Sequence, residues 1–421
     1  MPHDAAELRV DGARLHRRLE ELGEIGAVLG PNGERGCARL ALTDADREGR
    51  DLVVAWMRDL GLDVGIDRIG NVFATLPGTE PQLAPVMTGS HIDTVRTGGR
   101  FDGNLGVLAG LEVIETVITS GLRLRRSLTV AFFTDEEGAR FAPDMLGSLV
   151  HVGGLGLEDA LDIRAADDGA RLGDELERIG YTGNVPVPAV EFPHCFVELH
   201  IEQGPILEDA GVTIGVVEGV QGISWAELTI SGRSAHAGTT PMHLRRDPLL
   251  VAARIAGYVR DLTGELGGGQ VGTVGRFDVQ PDLVNVVPST VTMTIDVRNA
   301  AEPALQEAER RIATFVAAAA ADEGVDVDSR TLARFEPVDF DASMIDLVES
   351  TAERLGHTTR RMSSGAGHDA QMLARVCPTA MIFTPSVGGL SHNIAEFTAP
   401  ADIEAGANVL LHVLVDRAGE G

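Results

Sequence analysis

Five short stretches of the sequence gather imidazoles and carboxylates around glycine. They are Gly89-Ser90-His91-Ile92-Asp93-Thr94, Gly99-Arg100-Phe101-Asp102-Gly103-Asn104-Leu105-Gly106, Thr134-Asp135-Glu136-Glu137-Gly138, Glu198-Leu199-His200-Ile201-Glu202-Gln203-Gly204 and Gly388-Gly389-Leu390-Ser391-His392-Asn393. Imidazole nitrogen and carboxylate oxygen together suit zinc, manganese or cobalt. A carboxylate can bridge two such ions, and a water shared between them loses a proton near neutral pH. The chemistry in view is metal-assisted hydrolysis. Taken singly, each stretch has a plainer reading. Glu136-Glu137 suits a solvated loop, His200 an ordinary strand residue and His392 a turn cap. His91 stands evenly between the two readings, because Asp93 two residues on is placed to orient a ligating imidazole. Convergence of all five stretches is what favours a metal centre.

Convergence requires a scaffold, and the flanking sequence supplies one. The chain reads as helical from Ala5 to Leu62, with apolar Leu52, Val53, Trp56, Met57 and Leu60 at helical spacing. Strands are expected at Asn71–Leu76 and Ala84–Thr88, a helix at Leu105–Thr119, and a strand buried on both faces at Leu128–Phe133. The acidic stretch Leu155–Gly180 reads as helical and Phe196–His200 as a strand. In open α/β sheets, ligands bind at the carboxyl ends of strands, which is where most of these polar stretches begin.

Around Gly219 the rhythm changes. Strands at Trp225–Ile230, Val271–Val279, Val291–Val297 and Val325–Phe335 alternate with helices from Asp247-Pro248 to Thr263 and from Glu302 to Glu323. That β-α-β-β-α-β order is ferredoxin-like. Helix–strand–helix character returns at Ser343–Leu355, Thr379–Phe383 and Asp402–Val413. The expected fold is α/β: a mixed-sheet catalytic domain made of residues 1–219 and 336–421, interrupted by a smaller ferredoxin-like domain at 220–335.

Composition agrees with this picture. At 421 residues, two domains are expected, and a 44% hydrophobic content supplies their cores. The 63 acidic residues outweigh 35 basic ones, giving a net charge of −28. Such a surface repels nucleic acid and anionic lipid. Every basic side chain of fixed charge is arginine. Cys37, Cys195 and Cys377 are too few and too scattered for a disulfide framework or a zinc knuckle. The first residues lack the basic-then-apolar pattern of a secretory leader, and no apolar run reaches membrane-spanning length. A cytoplasmic location is the expectation.

The motifs resemble the metal-dependent amidohydrolase branch of the M20 peptidase superfamily, which includes N-carbamoyl-L-amino-acid hydrolases, allantoate amidohydrolases and some β-ureidopropionases. The matching stretches are Ser90–Thr94, Gly99–Gly103, Asp135–Phe141, His200–Pro205, Ala235–Met242, Asn285–Pro288 and Gly389–His392. They keep the family's order over almost the whole chain. The resemblance implies two divalent metal ions, zinc or manganese or cobalt, bridged by Asp102. It assigns His91 and His200 to one ion, and Glu137 and His392 to the other. Glu136 becomes the general base, His236 the donor to a tetrahedral oxyanion, and Arg298 and Asn285 the holders of a substrate carboxylate. Gln221, Gln203, Gly388 and Gly389 join the pocket lining. Peptidase members usually carry a carboxylate where His200 stands, so the histidine favours the amidohydrolase branch. His236 is often delivered by a neighbouring subunit's lid domain in this family, which implies a homodimer. The stretches Phe141–Ser148 and His243-Leu244-Arg245 depart from the family pattern and bear on the substrate more than on the chemistry. The expected substrate is a small carboxylate-bearing molecule, first an N-carbamoyl-L-amino acid, then allantoate or N-carbamoyl-β-alanine. An N-acyl amino acid or dipeptide ranks lower. A catalytically silent scaffold ranks last, because all six candidate ligands and base are present.

Overall fold

The computed structural model describes residues 7–419, so Ala5 and Ala6 of the first expected helix lie outside it. The chain divides into two compact units. One comprises Met1–Glu218 with Asp339–Gly421, and the other Gly219–Val338.

The larger unit is built on a nine-stranded mixed sheet. Four central strands lie side by side and parallel, in the order Thr379–Thr384, Cys195–Ile201, Val86–His91, Leu128–Phe133. Antiparallel strands flank them: Ile214–Val220 on one side, Val72–Leu76 and Asp63–Ile66 on the other. All four parallel strands are buried along their whole length. Their continuous apolar sequences follow from helices covering both faces. Asn104–Ser120 and Pro400–Gly419 pack on one face, and the short helices Leu146–His151 and Asp369–Leu373 contact the central strands from the other. The helix Asn104–Ser120 is apolar almost all round because it lies between the sheet and the N-terminal helix Gly12–Glu24. Its one buried acid, Glu112, takes hydrogen bonds from Arg14 Nε at 2.7 Å, Arg14 Nη2 at 2.6 Å and Asp11 N at 2.9 Å, which fasten the two helices together.

Two sequence expectations need correcting here. The region before Leu62 is not continuously helical. A hairpin, Ala27–Leu29 with Arg35–Cys37, separates Gly12–Glu24 from Asp44–Asp59. Gly26, at φ 83°, and Gly33, at φ 90°, take left-handed conformations that end the helix and turn the hairpin. Leu155–Gly180 likewise breaks into Leu157–Leu161 and Leu172–Ile179. Gly169, at φ 74°, turns the chain between them.

The smaller unit is a four-stranded antiparallel sheet ordered Val271–Gln280, Thr290–Asn299, Gly222–Ser231, Asp326–Phe335. Helices Pro248–Leu266 and Glu302–Glu323 cover one face. The first begins as its sequence requires: Asp247 caps the amides of Leu249 and Leu250, and Pro248 fills the first turn. Burial alternates along Thr290–Asn299, so Val291, Met293, Ile295 and Val297 face the helices. Thr292, Thr294, Asp296 and Arg298 face the other way. No helix among the described residues is long and apolar enough to cross a membrane.

Ile230 is fully buried in this smaller core. Replacing it by alanine should cost about 2–5 kcal/mol. Hydrogen-exchange mass spectrometry should show the loss of protection confined to residues 219–338. Equal loss in the nine-stranded sheet would contradict the division into two units.

Candidate active site

The strand expected to end at Thr88 runs on to His91, its last residue, and His200 is the penultimate residue of the neighbouring parallel strand. The strand order reverses between these two, the position where open α/β sheets leave a crevice. Glu136 and Glu137 follow the next parallel strand over, Leu128–Phe133. Asp102 precedes the helix Asn104–Ser120.

Both strand-end imidazoles are fixed through Nδ1. His91 Nδ1 donates to the Asp93 carbonyl at 2.9 Å, and His200 Nδ1 to the Ile201 carbonyl at 2.9 Å. Carbonyls only accept, so each Nε2 is left as the outward-facing nitrogen. Both point at one oxygen: Asp102 Oδ1 lies 3.6 Å from His91 Nε2 and 3.2 Å from His200 Nε2. The other oxygen, Asp102 Oδ2, lies 3.8 Å from His392 Nε2, which is itself 3.1 Å from Glu137 Oε2. One carboxylate thus turns its two oxygens toward two different sets of donors. Within each set, His91–Asp102–His200 and Asp102–Glu137–His392, the ligand-capable atoms lie within 4.8 Å of one another.

This donor set fits a divalent cation. The Gly103 amide donates to His200 Nε2 at 3.2 Å, which requires that nitrogen to be bare. A bare Nε2 facing a carboxylate oxygen at 3.2 Å places acceptor against acceptor, an arrangement that needs a positive centre between them. The electrostatics of the cluster point the same way. Burial works to lower the His91 imidazole, yet the carboxylates of Glu136, Asp102, Asp93 and Glu137 carry it well above its ordinary value. Burial pushes the Asp102 carboxyl up, and the facing imidazoles of His200 and His91 outweigh it and hold the group well below the carboxylate range. His392 is raised to about 9, chiefly by its hydrogen bond to Glu137. The cluster favours positive charge because its carboxylates bring no cation of their own.

Glu136 is buried, with Oε2 3.4 Å from His91 Nε2. Burial drives its carboxyl well above the usual range; His91 opposes this, and Asp369, Glu137 and Asp93 add to it. Asp93 serves both His91 and the glutamates, with its Oδ1 3.9 Å from His91 Nδ1. Its backbone carbonyl orients His91, while its side-chain Oδ1 and Oδ2 accept from the amides of Glu136 at 3.2 Å and Glu137 at 3.3 Å. The Asp93 carboxylate therefore holds the turn that carries the two glutamates.

Gln203 was expected to line the pocket for substrate. Its Nε2 instead donates to Asp102 Oδ2 at 2.8 Å, beside Ser391 Oγ at 2.7 Å. The Gly388 amide is taken by Glu208 Oε2 at 2.7 Å, and Gly389 completes the same short turn before His392. Asp135, Gln203 and His392 all hold positive φ, at 56°, 60° and 52°. Such backbone is costly for non-glycine residues and persists where surrounding structure imposes it. At Gly103, φ is 64° and an added Cβ would meet the His91 ring at 2.4 Å, so glycine alone lets Asp102 approach His91.

The remaining expected residues belong to the smaller unit. His236 lies on the short strand Ala235–His236, and its Nδ1 accepts from the amides of Gly238 at 3.0 Å and Thr239 at 3.3 Å. Its Nε2 therefore carries the proton. Arg298 forks onto Asp296, with Nη2 to Oδ2 at 2.8 Å and Nε to Oδ1 at 3.1 Å, and stands 5.7 Å over the Trp225 ring. Asn285 is exposed, its carbonyl bonded by the Ala237 amide at 2.9 Å, and Gln221 is half-buried between two strands.

Sequence reasoning missed a further buried layer. His368 packs edge-on against His200 at 4.6 Å and bonds Ser364 Oγ at 2.9 Å. Glu198 ties Ser90 Oγ at 2.6 Å to the Ala370 amide at 2.9 Å. Glu198, His200 and His368 form a third donor group, which shares His200 with the first. Glu396 Oε1 accepts from the amides of Phe101 at 3.0 Å and Asp102 at 3.1 Å. Glu198 shares a strand face with His200 two residues on, and His368 closes a glycine-rich turn before a helix. Those were the available signals.

The model of peptidase family M20/M25/M40 matches residues 87–416. The chain is 43% identical over 410 residues to the N-carbamoyl-L-amino-acid amidohydrolase of Rhizobium meliloti, covering 97% of each. It is 35% identical over 407 residues to the allantoate amidohydrolase of Escherichia coli strain K12, covering 96% of this chain and 98% of that one. A hydantoinase/carbamoylase family amidase from Burkholderia multivorans has a solved structure that superposes with a TM-score of 0.94 at 46% identity, over 98% of this chain and 99% of that one. With five of the seven matching stretches gathered in one cluster at the carboxyl ends of a parallel sheet, the chain belongs to the M20 family, as an amidohydrolase of its hydantoinase/carbamoylase branch acting on linear C–N bonds.

Proposed function

We propose that the protein hydrolyses the ureido group of an N-carbamoyl-L-amino acid, with two divalent cations held by Asp102. The observation that carries this reading is the divided Asp102 carboxylate, one oxygen toward His91 and His200, the other toward His392 and Glu137. When bound, the cations neutralise the clustered carboxylates, polarise the scissile carbonyl and acidify water. Zinc, manganese and cobalt all suit these donors. Glu136 takes a proton from the attacking water and returns it to the departing nitrogen. Water oxygen joins the carbonyl carbon, the C–N bond to the amino acid breaks, and the released carbamic acid falls apart to ammonia and carbon dioxide.

To the smaller unit the proposal assigns substrate recognition. Arg298 suits a substrate carboxylate because its fork already binds one, that of Asp296, in bidentate fashion. The protonated Nε2 of His236 suits donation to an oxyanion. Asn285 is assigned to the same substrate carboxylate, and Gln221 to the lining within this unit. A homodimer and a lid role for this unit are parts of the same proposal. The order of substrates rests on the Rhizobium relative, with allantoate second on the Escherichia coli one.

Glu136→Gln should retain the metal content of the parent protein and lose about 10²–10⁴-fold in kcat. Ammonia and free-amine release are the readouts, from N-carbamoyl-L-amino acids, allantoate, N-carbamoyl-β-alanine, N-acetyl amino acids and dipeptides. Undiminished turnover would remove Glu136 as the base, and turnover of dipeptides alone would move the enzyme to the peptidase side.

Elemental analysis after dialysis tests the metal assignment. Asp102→Asn should lose both metal equivalents, whereas His392→Ala should lose one. If both variants keep two equivalents, the divided carboxylate does not hold the cations.

A further inference from the structure

Arg39 is fully buried, and none of its hydrogen-bond partners is a carboxylate. A guanidinium stays charged in proteins, and taking one out of water costs several kcal/mol. Its partners are the carbonyls of Ile92, Leu22 and Ile25, each at 2.8 Å, Asn104 Oδ1 at 2.7 Å and Cys37 Sγ at 3.3 Å. Two of these belong to the segments that carry His91 and Asp102. Ile92 follows His91 directly. Asn104 is the first residue of the helix behind Asp102, and its own amide donates to the Asp102 carbonyl at 2.6 Å.

The grip on the His91 segment extends over consecutive peptides. Arg39 Nε holds the Ile92 carbonyl. The Arg39 carbonyl accepts from the Thr94 amide at 2.9 Å, and the Arg39 amide donates to Thr94 Oγ1 at 2.7 Å. The peptide whose N–H is held in this way is the one whose carbonyl, that of Asp93, orients His91 Nδ1. Arg39 therefore fixes the orientation of His91 and, through Asn104, its distance from Asp102. The carbonyls of Leu22 and Ile25 anchor the guanidinium to the end of the N-terminal helix.

We infer that Arg39 is a positioning residue for the cation-binding donors, setting His91 against Asp102 from behind with no hydrogen bond to either side chain. This rests on the reading that those donors bind a divalent cation. Metal-free protein titrated with cobalt(II) tests it, because the visible absorption of bound cobalt reports the geometry of its ligands independently of turnover. Arg39→Met should weaken cobalt binding by about 10–100-fold and alter the spectrum. Arg39→Lys, which keeps the charge but cannot span the carbonyls and Asn104, should behave like Arg39→Met. Asn104→Leu cuts a single anchor and leaves the buried cation in place. It should weaken cobalt binding by about tenfold, and it carries the test if neither Arg39 variant folds. In every folded variant kcat should fall while KM stays near the parent value. Parent-like affinity and spectrum in these variants, with only a lower Tm, would overturn the positioning role and leave Arg39 a structural residue. A parent protein that gives no saturable cobalt spectrum would overturn the cation reading and the inference with it.

Discussion

Four carboxylates, those of Asp93, Asp102, Glu136 and Glu137, crowd one water-poor end of the central sheet, and their mutual repulsion is the constraint around which the larger unit is organised. Two like charges about 4 Å apart repel by roughly 4 kcal/mol at an effective dielectric near 20. Buried arginines are close by in the chain, but Arg39 is committed to backbone carbonyls and Arg50 to Asp46, Gly70 and Thr134. The cluster keeps its donors facing inward and leaves the balancing charge to be supplied from outside. Asp102 is the pivot because it alone faces both donor sets.

Much of the fold serves to hold that unfavourable arrangement. Parallel strands deliver His91, His200 and the two glutamates to the same edge. The Asp93 carboxylate, accepting from two backbone amides, sets the glutamate turn. Glu396 and Gln203 do the same for the backbone and side chain of Asp102. Left-handed backbone at Asp135, Gln203 and His392 is the local strain that remains. Each device is a hydrogen bond or a turn, and each acts one layer behind the atoms that would meet a cation.

The elements were legible where periodicity was strong. Leu128–Phe133 reads as a doubly buried strand from its unbroken apolar run, and Glu302–Glu323 as a helix from its alanines and the closing Gly324. The hairpin at Ala27–Cys37 went unread because three-residue strands leave no period to detect, although Gly30-Pro31-Asn32-Gly33 marks its turn. Within the site, the residues that could bind an ion stood out because imidazole and carboxylate are conspicuous beside glycine. The layer behind them did not. Arg39 and Glu396 act through backbone groups, and a sequence does not say which carbonyl or amide a side chain will meet. Asp93 shows the limit well: its type and spacing pointed to His91, but its carboxylate reached the next loop while its backbone served the imidazole.

Anomalous X-ray scattering from crystals of the zinc-loaded protein, collected on both sides of the zinc edge, is the most direct test of the divided carboxylate. The account predicts two zinc peaks, one among His91, His200 and Asp102 Oδ1, the other among Glu137, His392 and Asp102 Oδ2. Peaks that leave Asp102 on a single ion, or that fall on Glu198 and His368 instead, would contradict it.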